Sequence, residues 1–187
     1  DFEAILDRLL EALERVVPFE GGSVMVVQGK KQKSRIARMR GYKKLAPEDV
    51  EKISKHSFEI DSVENLRWMF SIKQPLVIAD VKQYPGWIHH PETDFIRSWA
   101  GAPIIVNDES IAYFSLDSSE PNFFTNDHIE LMRAFTGQAS LALQNARLFE
   151  ETERRFKEFA ALYEISNALS VDNDLSTLLK DIVEASS

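Results

Sequence analysis

The chain has 187 residues, a formal net charge of −8 and a hydrophobic content of 44%, which is typical of a folded globular domain. It contains no cysteine, which excludes disulfides, thiolate metal sites, thiol catalysis and thioether-linked cofactors. The acidic balance argues against general binding to nucleic acid, and no apolar run is long enough to span a membrane. We therefore expect a cytoplasmic segment without direct membrane contact, excised from a longer protein.

Periodicity and turn residues predict an alternation of helices and strands along residues 2–117. Apolar residues at helical spacing predict a first helix that Pro18 ends, and Gly21-Gly22 then leads into a strand. Two further strands surround the turn at residues 107–109. The predicted elements are helix 2–17, strands 23–28 and 33–40, helix 47–55, strand 57–61, helix 62–73, strand 76–79 and strands 98–106 and 110–117.

The last predicted helix, over residues 126–169, is the longest. Phe124 and Ile129 can form a hydrophobic staple around the capping residue Thr125, and no Gly or Pro interrupts residues 138–171. Such a helix is about 65 Å long, more than a compact domain of this size can bury. Its distal half is therefore expected to find a partner.

A heptad register along this helix predicts a weak, parallel, two-stranded coiled coil in a homodimer. Leucine at d favours two strands, and an asparagine at a sets the register at a cost in stability. The alternative is an amphipathic helix that packs back on its own domain. The register places Leu141, Leu148, Leu162 and Leu169 at d with Arg155 as a charged d residue, and Asn145, Thr152, Phe159 and Ser166 at a.

The end of the chain resembles its beginning. Residues 174–185 repeat the pattern of residues 1–12, either because a second domain of the same type begins there or because two amphipathic helices look alike by chance. The first interpretation divides the chain into a sensor domain (1–150), a helical linker (151–171) and the start of a second, truncated domain (172–187).

Four segments in this order and spacing resemble the GAF domain, a small-molecule-sensing module of bacterial signalling proteins and cyclic-nucleotide phosphodiesterases. They are residues 74–80, 97–104, 124–127 and 138–148. The resemblance, which covers about residues 2–150, implies an α+β fold. Its central antiparallel sheet has about six strands, with terminal helices on one face and a pocket roofed by loops and short helices on the other.

Some subfamilies are not matched. The Asn-Lys…Phe…Asp-Glu signature of cyclic-nucleotide-binding members is absent, and Gly86 stands where light-sensing relatives carry a bilin-linking cysteine. Relatives that reduce free methionine sulfoxide use cysteines, and this chain has none. The resemblance therefore predicts no covalent bilin and leaves the cofactor unidentified.

The resemblance implies that aromatic residues Trp87, Phe95, Trp99 and Tyr113 line the pocket, unless they fill it completely. Arg97 can pair with an anionic ligand or with a local carboxylate. If Ile36 faces the helices, Arg38 shares that face, whereas a shifted strand would point Arg38 into the pocket.

Two polar positions have competing interpretations. Asp80 reaches the ligand in relatives, whereas an Asp before a turn commonly caps backbone N–H groups. His89 and His90 can supply a haem or metal ligand, but a histidine pair beside a proline is also common in solvated loops. The sequence thus predicts no metal site, and the candidate ligand-binding residues are Arg38, Asp80, Trp87, His89, Phe95, Arg97, Trp99 and Tyr113.

No Ser-His-Asp order, Gly-rich phosphate loop or carboxylate pair at recognisable spacing is found, so no enzyme is predicted. The resemblance implies a sensor module in a multidomain protein such as a two-component histidine kinase, in which a ligand state is relayed through the last helix to a downstream signalling domain. The alternatives are a dimerisation spacer with a filled pocket, and a haem or redox sensor that uses His89 or His90.

Overall fold

The computed structural model describes residues 2–29 and 32–184, and side-chain burial within residues 4–29 and 32–164. Three short 3₁₀ turns, at Ile60–Ser62, Val81–Gln83 and Pro91–Thr93, connect the longer elements. Those elements are α1 (Phe2–Glu14), β1 (Gly21–Gln28), β2 (Lys33–Gly41), α2 (Pro47–Ser54), β3 (Ser57–Glu59), α3 (Glu64–Ile72), β4 (Leu76–Ile78), β5 (Ser98–Val106), β6 (Glu109–Ser118) and α4 (Asn126–Glu184).

The six strands form an antiparallel sheet in the order β3-β2-β1-β6-β5-β4. The hairpins β1–β2 and β5–β6 supply its long strands, and β1 pairs with β6 at the centre. This arrangement confirms the predicted α+β fold with about six antiparallel strands.

Alternate residues of the strands face opposite sides of the sheet, as the pleat requires. On one side, Phe114 and Leu116 of β6 pack with Leu10 of α1 and Met132 of α4 in a fully buried apolar core. On the other side, Tyr113 belongs to a second cluster with α3 and the segment after β4. We call the first side the helix face and the second the cavity face.

A β-bulge in the first hairpin changes the face of Arg38. Val24 pairs with Arg38, but the next residue, Met25, pairs with Ile36, so Ala37 is the extra residue. Ile36 therefore packs on the cavity face, whereas Arg38 lies opposite Val24 on the helix face. Two residues further on, Arg40 forms ion pairs of 3.4–3.9 Å with three carboxylates of α1, those of Asp7, Glu11 and Glu14.

The start of α4 has the predicted cap. The hydroxyl of Thr125 accepts from the backbone N–H of His128 at 3.4 Å, and the Thr125 N–H donates to His128 Nδ1 at 3.2 Å. Further along, the Ser140 hydroxyl accepts the N–H of Ile105 at 3.1 Å, where a second bulge interrupts the β5–β6 register. These bonds and the buried Leu143 fix the first part of α4 on the sheet.

The chain divides into two units after Gln144. In the second unit α4 continues to Glu184, and each residue from 147 to 164 is exposed. The predicted repeat at residues 174–185 lies outside the residues whose side chains are described. No helix in the described part of the chain is long and apolar enough to cross a membrane.

Candidate functional site

A cavity of about 80 Å³ lies between the cavity face of the sheet and the elements that cover it. Its floor is formed by strand residues whose side chains point to the cavity face of the sheet: Ser23, Met25, Trp99, Tyr113 and Ser115. Its roof comes from α2, α3 and the loops beside them, with these lining residues: Ile53, His56, Phe58, Val63, Asn65, Leu66, Trp87, Ile88, His90, Thr93 and Ile96. The volume is several times the roughly 10–15 Å³ that one water requires.

Three of the four predicted aromatic residues line this cavity without filling it. Trp87, Trp99 and Tyr113 line it, and the rings of Trp87 and Trp99 meet at 60° with centroids 6.2 Å apart. Phe95 packs behind the wall, edge-on to Tyr42 at 6.3 Å. The alternative in which aromatic side chains fill the pocket completely is therefore not found in the structure.

The polar tips of two wall residues are already satisfied within the protein. The Trp99 indole N–H donates to the Ser115 hydroxyl at 2.8 Å. The Tyr113 and Ser34 hydroxyls are hydrogen-bonded at 3.1 Å, and burial raises the pKa of the Tyr113 phenol far above its ordinary value. These groups shape the wall and stay neutral.

A buried carboxyl group, Asp117, stands at the end of the cavity. The Tyr42 hydroxyl donates to Asp117 Oδ2 at 2.7 Å, and burial raises the pKa of Asp117 to about 7, although the bond from Tyr42 opposes that shift. Burial and the neighbouring Asp117 charge raise the pKa of Tyr42 as well. Asp117 therefore exchanges a proton near neutral pH.

Gly21 lets Tyr42 reach this carboxyl. A Cβ on Gly21 would lie 2.2 Å from the ring of Tyr42, so another residue there would displace the ring. Tyr42 itself adopts a φ of 58°, and its N–H donates to the Glu20 carbonyl at 2.7 Å. The close approach of ring and backbone thus sets the position of the phenol.

Two polar atoms at the cavity are buried without a hydrogen-bond partner in the described part of the chain: Asn65 Oδ1 and His90 Nε2. Unsatisfied buried polar groups cost free energy, and in natural proteins a bound water, ion or other molecule is one of the reasons they are retained. They are the polar groups through which this cavity can recognise a ligand.

The predicted pair Asp80 and Arg97 lies outside the cavity lining. Arg97 makes a two-pronged contact, from Nε to Asp80 Oδ1 at 3.1 Å and from Nη2 to Oδ2 at 2.8 Å. Asp80 also accepts the backbone N–H of Lys82 at 3.1 Å. The Arg97 guanidinium lowers the pKa of Asp80, so this pair ties the end of β4 to the start of β5 as a permanent ion pair.

The structure places two other predicted residues away from the cavity. His89 is exposed, and Arg38 lies on the helix face, where its guanidinium donates to the Ala37 carbonyl at 2.6 Å. Residues at even spacing along a strand share a face, so the predicted strand 110–117 places Asp117 on the same face as Tyr113. This spacing could have identified Asp117, which is absent from the predicted site residues. Nothing in the sequence indicated its partner Tyr42, 75 positions away.

One cluster at the cavity roof was predicted only in part, since the sequence singled out His90 but not its neighbours His56 and Glu92. His56 Nε2 lies 2.7 Å from Glu92 Oε1, and the rings of His56 and His90 are 4.5 Å apart. His56 connects α2 to β3, whereas His90 and Glu92 belong to the turn before β5. Only the fold brings these three residues together.

A sequence model described as the GAF domain matches residues 1–144 of the chain. The GAF domain/HD domain protein from Geobacter sulfurreducens superposes with a TM-score of 0.67 at 16% identity, over 79% of this chain and 95% of that one. Two signalling proteins are also similar in structure. One is a domain of a protein described as a two-component sensor histidine kinase from Sinorhizobium meliloti 1021 (TM-score 0.58, 16% identity, 82% and 96% covered).

The other is a methyl-accepting chemotaxis protein, residues 122 to 287, with a TM-score of 0.60 at 20% identity. That match covers 79% of this chain and 90% of the other. At such identities the structural likeness establishes the shared fold.

Proposed function

Since this chain belongs to the GAF domain family, we propose that it is a non-enzymatic sensor module of a multidomain signal-transduction protein in the cytoplasm. It binds a small molecule in the cavity and passes the bound state to a downstream domain through α4. The observation that carries this proposal is the cavity of about 80 Å³ with the unpartnered Asn65 Oδ1 and the buried Asp117 at its wall.

The cavity wall favours a small, mainly apolar ligand with a few polar atoms. Trp87 and Trp99 offer ring surfaces for contact with a flat group. The amide oxygen of Asn65 can accept one hydrogen bond, and Asp117 can donate or accept according to its protonation. A ligand with a donor group and an apolar body satisfies the orphan acceptor and covers the aromatic wall.

The similar structures support a place in signalling. Domains of this fold occur in a protein described as a two-component sensor histidine kinase and in a methyl-accepting chemotaxis protein. A histidine kinase is the proposed whole protein, and its catalytic part is the proposed downstream domain.

Native mass spectrometry of the protein purified from its own host tests the ligand. We expect a second mass peak that exceeds the polypeptide mass by that of one small molecule. Ser23→Ile fills the cavity, because Ser23 is buried and points into it, and should abolish that peak. The exposed serine Ser62, changed in the same way, is the matched control. A peak that survives in Ser23→Ile would place the bound molecule elsewhere.

The second unit supports dimerisation through α4. Its exposed large apolar side chains are Leu148, Phe149, Phe156, Phe159, Leu162 and Tyr163, each 55–72% exposed. At 100° per residue they occupy one face about 140° wide, which also contains the charged d residue Arg155, whereas Glu150 and Lys157 lie on the opposite face. A second copy of the same helix would cover this face, with Asn145 and Thr152 in its midst.

A matched pair of double variants tests the dimer. Asn145→Ile with Thr152→Ile makes the proposed interface more apolar and should tighten association about tenfold or more in analytical ultracentrifugation. Glu150→Ile with Lys157→Ile places the same two side chains, also seven positions apart, on the charged face. Equal association of both variants would contradict the proposed register.

A further inference from the structure

The structure brings three metal-ligating side chains together at the roof of the cavity, although no spacing motif links them in sequence. Within the described residues, His56, His90 and Glu92 are the group whose ligand atoms all lie within 4.8 Å of one another. From this geometry we propose that His56, His90 and Glu92 bind a divalent first-row transition metal ion such as Zn²⁺. The inference goes beyond the proposed ligand cavity and does not depend on it.

The three side chains are suited to a metal by their chemistry. Two imidazole nitrogens and one carboxylate oxygen form a mixed ligand set that zinc accepts, whereas calcium and magnesium prefer oxygen alone. The side chains of His56 and Glu92 are only 14% exposed, so few water molecules compete for the ion. Tetrahedral bonds of about 2.0–2.1 Å place the ligand atoms roughly 3.3 Å apart. The ligand atoms here all lie within 4.8 Å of one another, so metal binding would draw them closer together.

The protonation of the group also fits a metal site. Partial burial and the neighbouring His56 lower the pKa of His90, which favours the neutral imidazole. The hydrogen bond with His56 lowers the pKa of Glu92, which keeps the carboxylate ionised. A neutral imidazole and a carboxylate are the forms that bind a cation.

An ordinary hydrogen-bonded cluster accounts for only part of this arrangement. The His56–Glu92 contact of 2.7 Å satisfies one imidazole, but His90 Nε2 is buried and without a partner in the described part of the chain. The rings of His90 and His56 lie side by side, with centroids 4.5 Å apart. A metal ion bound to all three residues could satisfy this nitrogen.

The site would join two parts of the cavity roof. His56 lies between α2 and β3, and His90 and Glu92 lie in the turn that leads to β5. Three protein ligands leave a fourth position open. Since His56 and His90 also line the cavity, a molecule in the cavity can occupy that position.

Isothermal titration of chelator-treated protein with Zn²⁺ at pH 7.5 tests the proposal. We expect one saturable site per chain, and Co²⁺ in its place should give the visible absorption of a low-symmetry, nitrogen- and oxygen-ligated ion. His56→Gln and His90→Gln should each weaken Zn²⁺ binding about tenfold or more. His89→Gln changes the exposed neighbour of His90 and should leave the affinity unchanged.

Glu92→Gln is a third variant that removes the carboxylate with almost no change in side-chain shape. It keeps the proposal testable if a histidine variant does not fold. Circular dichroism identifies the variants that are folded. The proposal is overturned if the wild-type protein shows no saturable Zn²⁺ site, or if folded His56→Gln, His90→Gln or Glu92→Gln binds Zn²⁺ as tightly as His89→Gln. Since no small molecule is present in the titration, its failure would leave the proposed cavity ligand unaffected.

Discussion

The two faces of the sheet differ in what they bury. The helix face holds a closed apolar core in which Leu10, Phe114 and Leu116 are fully buried. The cavity face, formed by the alternate residues of the same strands, keeps an open volume and buries Asp117 and Asn65. One face thus provides stability, while the other retains the unsatisfied polar groups that binding requires.

The largest expected effect is on the helix face. Leu10→Ala should lower the free energy of unfolding by about 2–5 kcal/mol, because it removes fully buried methyl groups and leaves a cavity. Urea denaturation measures this change. Leu131→Ala on the exposed side of α4 is the control and should change stability far less. Equal losses would mean that the helix face is not the main source of stability.

Asp117 should give the cavity face a pH-dependent stability. Its pKa rises from 3.8 to about 7 on folding, so the unfolded chain releases this proton first. The free energy of unfolding should therefore fall, on the order of a few kcal/mol, as the pH rises from about 4 to about 7. Urea denaturation of the wild type and Asp117→Asn at pH 4, 5.5 and 7.5 measures the difference.

Asp117→Asn should lack this decline, since the amide does not ionise. Tyr42→Phe removes the hydrogen bond that opposes the shift, so the decline should extend to higher pH. Parallel pH profiles for the wild type and Asp117→Asn would show that the carboxyl is not buried as described.

A smaller effect is expected at Gly21. Gly21→Ala should destabilise the domain by about 1–3 kcal/mol, because the new Cβ displaces the Tyr42 ring and breaks its bond to Asp117. Gly137→Ala is the matched control: no heavy atom lies within 4 Å of its Cβ position, and alanine favours the helix by up to about 1 kcal/mol. Thermal unfolding measures the melting temperatures of both variants. A Gly21→Ala protein that melts at the wild-type temperature would argue against the close approach of the Tyr42 ring to Gly21.

The sequence was informative where the determinants are local. The turn at residues 107–109 between two predicted strands, 98–106 and 110–117, gave the hairpin of β5 and β6 within about one residue at each end. The cap at Thr125 was equally readable, because its partners lie within five residues. The family resemblance then supplied the antiparallel sheet of about six strands and the side on which the pocket lies, but not the order of the strands.

The contents of the site depend on long-range contacts and were largely hidden. The bulge at Ala37, which moves Arg38 to the helix face, has no glycine to signal it. The contact of His56 with Glu92 spans 36 positions and that of Tyr42 with Asp117 spans 75. Periodicity assigns a residue to a face of a strand, but it does not pair residues across the cavity.

The central claim is that the state of the cavity is transmitted to α4, and it can be tested without knowing the ligand. Ser23→Ile mimics an occupied cavity, so the dimer dissociation constant in analytical ultracentrifugation should change about 5- to 150-fold, the range of a typical allosteric coupling. Ser62→Ile should leave it unchanged. A folded Ser23→Ile protein whose dissociation constant equals that of the wild type, or the absence of a dimer in all three proteins, would contradict the account.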